Sequence, residues 1–203
     1  MNTFWKAFIG LLAIAVIVSL ATLFNNSRPI GSENLVAKPL PGFAAPLAAG
    51  SQNGDSNIYT PAQAKAARSV AACDVELPGV FNSCRDLTGS SIVLFWNTTK
   101  SECVRQVSAL DDFLAANPKA DGVAVAFDQK ESEVRQFVSG RGWKLPVAID
   151  RDGAVAGLYA VAGCPSTFFV KDGTVSAVEL GVLTQRQLAA GLKKRAGATG
   201  ASD

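Results

Sequence analysis

The chain contains 203 residues, enough for one domain with a sizeable core and an appendage. Its 19 Lys and Arg residues nearly balance 17 Asp and Glu residues, and the basic residues are scattered, which argues against a nucleic-acid-binding surface. The absence of histidine excludes Ser-His and Cys-His catalysis and His-ligated metal sites. No cofactor and no metal are predicted, since the four cysteines, Cys73, Cys84, Cys103 and Cys164, form no close Cys-x-x-Cys pair typical of zinc ribbons.

The N-terminal residues 1–24 are predicted to be a signal-anchor, or transmembrane, segment. Residues 7–24 contain no charge, follow Lys6, and are just numerous enough to span a bilayer. The small-x-small sequence Ser19-Leu20-Ala21 leaves open a cleaved signal peptide and a secreted protein. In either case the cysteine-bearing domain is predicted on the extracytoplasmic side of the cell membrane, where disulfides persist.

Residues 25–71 are predicted to form a flexible extracytoplasmic tether. This segment is rich in Asn, Ser, Gly, Pro and Ala and has no sustained apolar periodicity. Near its end, Thr60 followed by Pro61 favours a short helix over residues 61–70, because Thr suits the N-cap and Pro the first turn.

The folded domain is predicted over residues 72–197, followed by a disordered tail at 198–203. Apolar runs indicate strands, and apolar residues at helical spacing indicate helices. Predicted strands occupy residues 91–96, 122–127, 145–149, 166–170 and 174–180; predicted helices occupy residues 101–117, 131–140 and 154–159 and follow Thr184. This β-α-β-α-(α)-β-β-α order predicts an α/β fold, a mixed central sheet with helices on both faces.

One thiol lies at the start of the first of these helices. Residues 100–103 read Lys-Ser-Glu-Cys, where a strand–loop–helix pattern leads one to expect Cys-x-x-Cys. The helix N-terminus and Lys100 both favour the thiolate of Cys103, which makes it the candidate attacking group. The alternatives are that Cys103 is an inert, buried residue and that Lys100 is simply solvated.

Three collinear segments carry a family resemblance. Residues 95–103 (Phe-Trp-Asn-Thr-Thr-Lys-Ser-Glu-Cys) lie on a Phe-Trp-Ala-Thr-Trp-Cys-x-x-Cys motif. Residues 146–153 resemble Pro-Val-x-x-Asp-x-x-Gly, and residues 159–168 resemble Tyr-x-Val-x-Gly-x-Pro-Thr-Thr-Phe. From about residue 73 to 194 the chain thus resembles the membrane-anchored, extracytoplasmic thioredoxin-like proteins that include TlpA, ResA and CcmG. It departs from them at Lys100, which replaces the nucleophilic cysteine, and at Leu94, where relatives often carry a buried polar group.

The resemblance implies a thioredoxin-like fold in which Pro165 forms a cis peptide bond and lies against the start of the active-site helix. Cys164, which precedes Pro165, would then lie within disulfide distance of Cys103. This pair could be a catalytic substitute for Cys-x-x-Cys, or a static staple worth about 4 kcal/mol.

The remaining cysteines, Cys73 and Cys84, flank a segment that contains Pro78-Gly79, a turn signal that lets its ends approach. We expect them to form a structural disulfide worth about 3 kcal/mol. A second exchangeable pair is the alternative.

Two classes of function follow. The first is a thiol–disulfide oxidoreductase of the thioredoxin-like family that uses Cys103 and Cys164, with envelope protein thiols and disulfides as partners and Pro165 shaping the binding groove. The second is a redox-inactive thioredoxin-fold module for binding or chaperoning in the cell envelope. A thiol peroxidase is a weaker third possibility, because Cys103 lacks a Thr-x-x-Cys setting.

Overall fold

The computed structural model of the protein describes residues 31–194. The predicted signal-anchor at residues 1–24, the first residues of the predicted tether and the predicted tail at 198–203 lie outside the described residues. Within residues 31–194, no helix is both long enough and apolar enough to cross a bilayer.

A five-stranded mixed sheet forms the centre of the fold. Its strands are β3 (Ser90–Trp96), β4 (Ala120–Phe127), β5 (Val147–Asp150), β6 (Ser166–Lys171) and β7 (Thr174–Leu180), in the spatial order β5-β4-β3-β6-β7. Strands β3, β4 and β5 run parallel, whereas β6 is antiparallel to both β3 and β7. The continuous apolar run of β3 is explained by its central place, because both of its faces are covered.

Helices cover both faces of this sheet, as predicted. They are α1 (Pro61–Ala67), α2 (Ser83–Asp86), α3 (Ser101–Ala116), α4 (Glu131–Ser139), α5 (Ala154–Leu158) and α6 (Gln185–Lys193). Helices α3, α4 and α6 bury Val107, Val134 and Leu188 in the apolar cluster on one face. Helix α5 packs Val155 into the cluster on the opposite face.

The structure differs from the predicted flexible tether over the described part of residues 25–71. Phe43 is fully buried, and strand β1 (Ala44–Pro46) pairs antiparallel with β2 (Val80–Asn82). The small residues of this segment, which made it resemble a linker, allow its backbone to pack closely on the α5 face of the sheet. The buried side chain of Phe43 holds the segment against the sheet, a contact that the pattern of apolar residues in the sequence did not predict.

This N-terminal segment also contacts both ends of the strand order. The backbone N–H of Ala37 donates to the carbonyl of Val175 in β7 at 2.8 Å, and that of Ala48 donates to the carbonyl of Val147 in β5 at 2.8 Å. The segment therefore crosses the whole α5 face.

The predicted helix after Thr60 is present but shorter than expected. Thr60 and Gln63 form a capping box, and the helix ends at Ala67 because Arg68 adopts a left-handed conformation. Its mostly polar and alanine surface buries Ala64 alone, so capping rather than packing defines this helix.

We expect Phe43→Ala to destabilise the domain by about 3–5 kcal/mol, because it removes a fully buried ring whose centroid lies 5.8 Å from that of Phe81 and 5.9 Å from that of Tyr159. Urea unfolding measures the change. Val70→Ala is the matched control, since Val70 is 53% exposed in the same part of the chain and should change stability by less than about 1 kcal/mol. A change in stability for Phe43→Ala as small as that for Val70→Ala would mean that the segment contributes little to the stability of the fold.

Candidate redox site

The chain leaves strand β3 through a loop that is built to start a helix. The side-chain oxygen of Asn97 accepts hydrogen bonds from the backbone N–H groups of Thr99 at 3.2 Å and Lys100 at 3.3 Å. These bonds turn the chain so that α3 begins at Ser101 and Cys103 becomes its third residue. Cys103 is thus in the first turn of a long helix, where the backbone dipole favours negative charge.

A second loop brings Cys164 to the same place. The Cys103–Cys164 disulfide has an S–S distance of 2.05 Å and a Cα–Cα distance of 5.6 Å, and the Cys164–Pro165 peptide bond is cis. The loop is held by the Ser166 hydroxyl, which donates to the carbonyl of Gly163 at 2.7 Å. The structure therefore joins the two cysteines that the family resemblance places within disulfide distance of each other.

The two sulfur-bearing residues differ in exposure. Cys103 is fully buried in the apolar cluster beneath α3, whereas Cys164 is half-buried and packs against the edge of that cluster. This burial argues against the sequence-based preference for Cys103 as the attacking thiol, since a partner cannot reach a fully buried sulfur. The position of Cys103 at the helix start stabilises its thiolate. Because Cys103 is buried, however, Cys164 is the member of the pair that a partner can reach.

Lys100 lies at the N-cap of α3 with an exposed side chain. Its carbonyl accepts the backbone N–H of Cys103 at 3.1 Å, and no ion pair of its ammonium group occurs among residues 31–194. The side chain therefore contributes a free positive charge at the helix start.

Gln129 was not singled out from the sequence. Its side chain accepts the backbone N–H of Thr98 at 3.0 Å and donates to the Thr98 hydroxyl at 2.6 Å. Because the carboxyl ends of the parallel strands β3 and β4 meet at one edge, the residues that follow them can join. The two-bond contact fixes the loop that leads to Cys103.

Gln106, one turn after Cys103, was also missed. It is fully buried, and its side-chain oxygen accepts the backbone N–H of Leu183 at 2.7 Å. This bond ties α3 to the segment that leads into α6. A polar residue at helical spacing normally indicates an exposed face, so nothing in the sequence indicated this burial.

Residues 150–153 lead into helix α5, and the side chain of Asp150 bonds to its first turn. The buried carboxylate of Asp150 accepts the backbone N–H groups of Val155 at 3.0 Å and Ala156 at 2.8 Å, at the start of α5. Burial nevertheless raises the pKa of this carboxyl, because the charged form loses hydration. Among the described residues, no group of three or more His, Cys, Asp or Glu side chains could hold a metal ion.

The second disulfide joins Cys73 and Cys84, with an S–S distance of 2.02 Å and a Cα–Cα distance of 5.4 Å. Both residues are exposed, in contrast to Cys103. The 3-10 helix Ala72–Asp74 carries the first cysteine and the short helix α2 carries the second.

Comparison with known proteins places this geometry in context. The model of the AhpC/TSA family matches residues 70–178, a span that includes all four cysteines. The thiol-disulfide oxidoreductase ResA of Bacillus thuringiensis is 32% identical over 123 residues, which cover 59% of this chain and 71% of that protein. ResA of Oceanobacillus iheyensis is 34% identical over 108 residues, which cover 51% of this chain and 56% of that protein.

Solved structures agree on the fold. A thioredoxin family thiol:disulfide interchange protein from Chlorobium tepidum superposes with a TM-score of 0.55 at 17% identity, covering 76% of this chain and 93% of that one. StoA from Bacillus subtilis gives a TM-score of 0.50 at 19% identity, covering 56% of this chain and 89% of that one. The predicted thioredoxin-like α/β fold is confirmed.

We predict that the stabilising contribution of Asp150 decreases as pH rises. The raised pKa means that the folded state holds the proton more tightly, so this contribution is complete below the ordinary value of 3.8 and is lost through the folded pKa. The free energy of unfolding of wild type minus that of Asp150→Asn should therefore fall with rising pH, measured by urea unfolding across the acidic range. A difference that stays constant or rises would contradict the assignment.

Proposed function

We infer that this chain, which belongs to the AhpC/TSA family, is a thiol–disulfide oxidoreductase that acts on the extracytoplasmic side of a membrane through Cys103 and Cys164. The single observation that supports this most is the bond between Cys103, in the first turn of α3, and the outer cysteine that precedes cis Pro165. The sequence relatives named thiol-disulfide oxidoreductase add independent support.

In the oxidising direction, a partner thiolate attacks the half-buried Cys164. A bond forms between the partner sulfur and Cys164, the Cys103–Cys164 bond breaks, and Cys103 leaves as a thiolate. A second partner thiolate then attacks the mixed disulfide at the partner sulfur and releases Cys164. Two electrons pass from the partner dithiol to the protein, and the two thiols formed take up the two protons that the partner lost.

In the reducing direction the same steps run backwards. Cys164 attacks a partner disulfide, and the resulting mixed disulfide is resolved by Cys103. The helix N-terminus and the exposed charge of Lys100 stabilise the Cys103 thiolate and therefore favour the reduced state, whereas burial of Cys103 opposes this effect.

The presence of Lys100 in place of a cysteine explains why the proposed redox pair is built from two loops. A lysine cannot form the disulfide that a first motif cysteine would make, so the exchange partner of Cys103 has to come from elsewhere in the chain. The loop before Pro165 supplies Cys164 at a Cα–Cα distance of 5.6 Å. The electrons travel on these thiols themselves, and no cofactor is needed.

The partners proposed are protein thiols and disulfides of the cell envelope. This location rests on the uncharged residues 7–24, which are numerous enough to span a bilayer, and on the presence of two disulfides, which persist outside the cytoplasm. The proposed membrane helix would anchor the domain, and cleavage of the segment would give a secreted protein instead.

A redox-inactive binding module is the second candidate. The complete burial of Cys103 favours it, because a sulfur enclosed in an apolar cluster is typical of a static staple. In that case the surface around Cys164 would bind partners without exchanging electrons with them.

A trapping experiment separates the two candidates. In full-length Cys103→Ser, the outer Cys164 should form a stable mixed disulfide with a model peptide disulfide, because no resolving thiol remains. In Cys164→Ser, the buried Cys103 should yield about tenfold less adduct. Mass spectrometry identifies the adduct site and separates adducts on Cys164 or Cys103 from any on Cys73 or Cys84. Equal background amounts in both variants, together with a wild type unable to reduce insulin, would favour the binding module.

We also predict that Lys100→Glu lowers the reduction potential of the Cys103–Cys164 pair by roughly 10–40 mV, because a negative charge at the helix start destabilises the Cys103 thiolate. A glutathione redox titration with alkylation of each cysteine measures this potential. Lys119→Glu is the matched control, since Lys119 is exposed just beyond the opposite end of α3. Equal potentials for wild type and Lys100→Glu would mean that Lys100 is simply solvated.

A further inference from the structure

We propose that the exposed Cys73–Cys84 disulfide is a second thiol-exchange site, attacked directly from solvent by thiols carried on neutral or basic molecules. It uses neither Cys103 nor Cys164, so it stands independently of the function proposed above.

Accessibility is the first argument. Disulfide exchange requires an incoming thiolate to reach one of the two sulfurs. Cys73 and Cys84 both belong to exposed residues, whereas Cys103 has no exposed surface. A thiol can therefore reach the Cys73–Cys84 bond without any opening of the fold.

Asn82 holds the two cysteines together by contacts that do not involve sulfur. Its buried side-chain amide nitrogen donates to the carbonyls of Ala72 at 3.1 Å, Cys73 at 3.1 Å and Val75 at 2.9 Å. Its side-chain oxygen accepts the backbone N–H of Cys84 at 3.0 Å. These bonds survive reduction, so the two thiols remain adjacent and the disulfide can close again.

One side of the bond is blocked by backbone. A Cβ atom placed on Gly42 would lie 2.7 Å from the sulfur of Cys73 and 3.0 Å from that of Cys84. Gly42 therefore lies directly against both sulfurs and closes that side of the bond to an attacking thiolate.

The surroundings distinguish the two sulfurs. The Ser83 hydroxyl oxygen lies 4.0 Å from the sulfur of Cys84 and accepts the backbone N–H of Phe43 at 2.8 Å, which leaves its hydrogen free to point at Cys84. The exposed carboxylate of Asp74 follows Cys73 instead. Cys84 is therefore the better leaving thiolate, and attack is directed at Cys73.

The local charge selects the attacking thiol. Asp74 and Glu76 are exposed beside Cys73, whereas Arg85 beside Cys84 is paired with Asp86 at 2.7 Å. The excess negative charge repels an anionic thiol and attracts a cationic one, an effect that salt weakens.

The exchange balances with a dithiol as reductant. One reagent thiolate bonds to Cys73 and breaks the Cys73–Cys84 bond, and Cys84 leaves as a thiolate. The second reagent thiolate closes the reagent's own disulfide and releases Cys73. Two electrons move from the dithiol to the protein, and the two new thiolates take up the two protons released by the reagent.

The test compares three dithiols that can close a cyclic disulfide, on the full-length protein: dithiothreitol, its cationic analogue dithiobutylamine, and the anionic dihydrolipoate. Acid quenching, alkylation and mass spectrometry give the initial rate at which each cysteine appears, normalised to the reagent's thiolate concentration. At low salt we expect Cys73 and Cys84 to appear before Cys103, and the cationic reagent to act at least about threefold faster than the anionic one. High salt should remove most of this difference.

Charge variants that leave the core intact sharpen the test. Asp74→Asn combined with Glu76→Gln should bring the three rates together, whereas Asp112→Asn, an exposed acid on α3, should leave their spread unchanged. Cysteine peptides flanked by lysine or by glutamate repeat the comparison with a thiol carried on a polypeptide, and a larger lysine preference there would identify protein thiols as the partner class. The proposal would be overturned if Cys73 and Cys84 were not reduced before Cys103. It would also be overturned if the reduction rates did not depend on the charge of the reagent.

Discussion

The pairing of β3 with β6 is the constraint on which the rest of the redox site depends. Phe95, near the end of β3, lies opposite Ser166, the first residue of β6. Because the strands are antiparallel, the loop that leaves β3 and the loop that enters β6 meet at one edge of the sheet. Cys103 and Cys164 are distant in sequence, yet this register leaves them a Cα–Cα distance of 5.6 Å. The disulfide joins two loops that hydrogen bonds between strands have already brought together.

The sequence predicted most of the sheet and its helices, because their signals are local and strong. The apolar run of β3 and the helical spacing after Cys103 are examples, and both correspond to elements of the structure. Local apolar patterns alone did not predict the cysteine pairs. The pairing of Cys73 with Cys84 was predicted from the Pro-Gly turn, and that of Cys103 with Cys164 from the family resemblance. What the sequence could not give was burial of individual groups. The outer position of Cys164 and the inner position of Gln106 depend on packing between elements far apart in the chain.

The N-terminal segment shows why composition misled. Its alanines, glycines and prolines resemble a linker, and one buried aromatic residue, Phe43, is too weak a pattern to predict a strand. In the structure these small residues allow close approach: Gly42 lies against the Cys73–Cys84 sulfurs, and Ala44 pairs with Asn82. The same composition would suit a disordered chain, and the difference is made by long-range partners such as Tyr159, whose hydroxyl donates to the carbonyl of Pro41 at 2.8 Å.

The crossing of this segment over the α5 face also protects the sheet from unwanted pairing. Strands β5 and β7 are the edges of the five-stranded sheet, where unpaired backbone groups invite another chain to add a strand. The segment pairs with both edges, through Leu47 opposite Ala148 in β5 and Pro39 opposite Thr174 in β7. A stretch that resembles a passive spacer thus occupies the start of each edge strand, Val147–Ala148 in β5 and Thr174–Val175 in β7, and blocks intermolecular β-augmentation there.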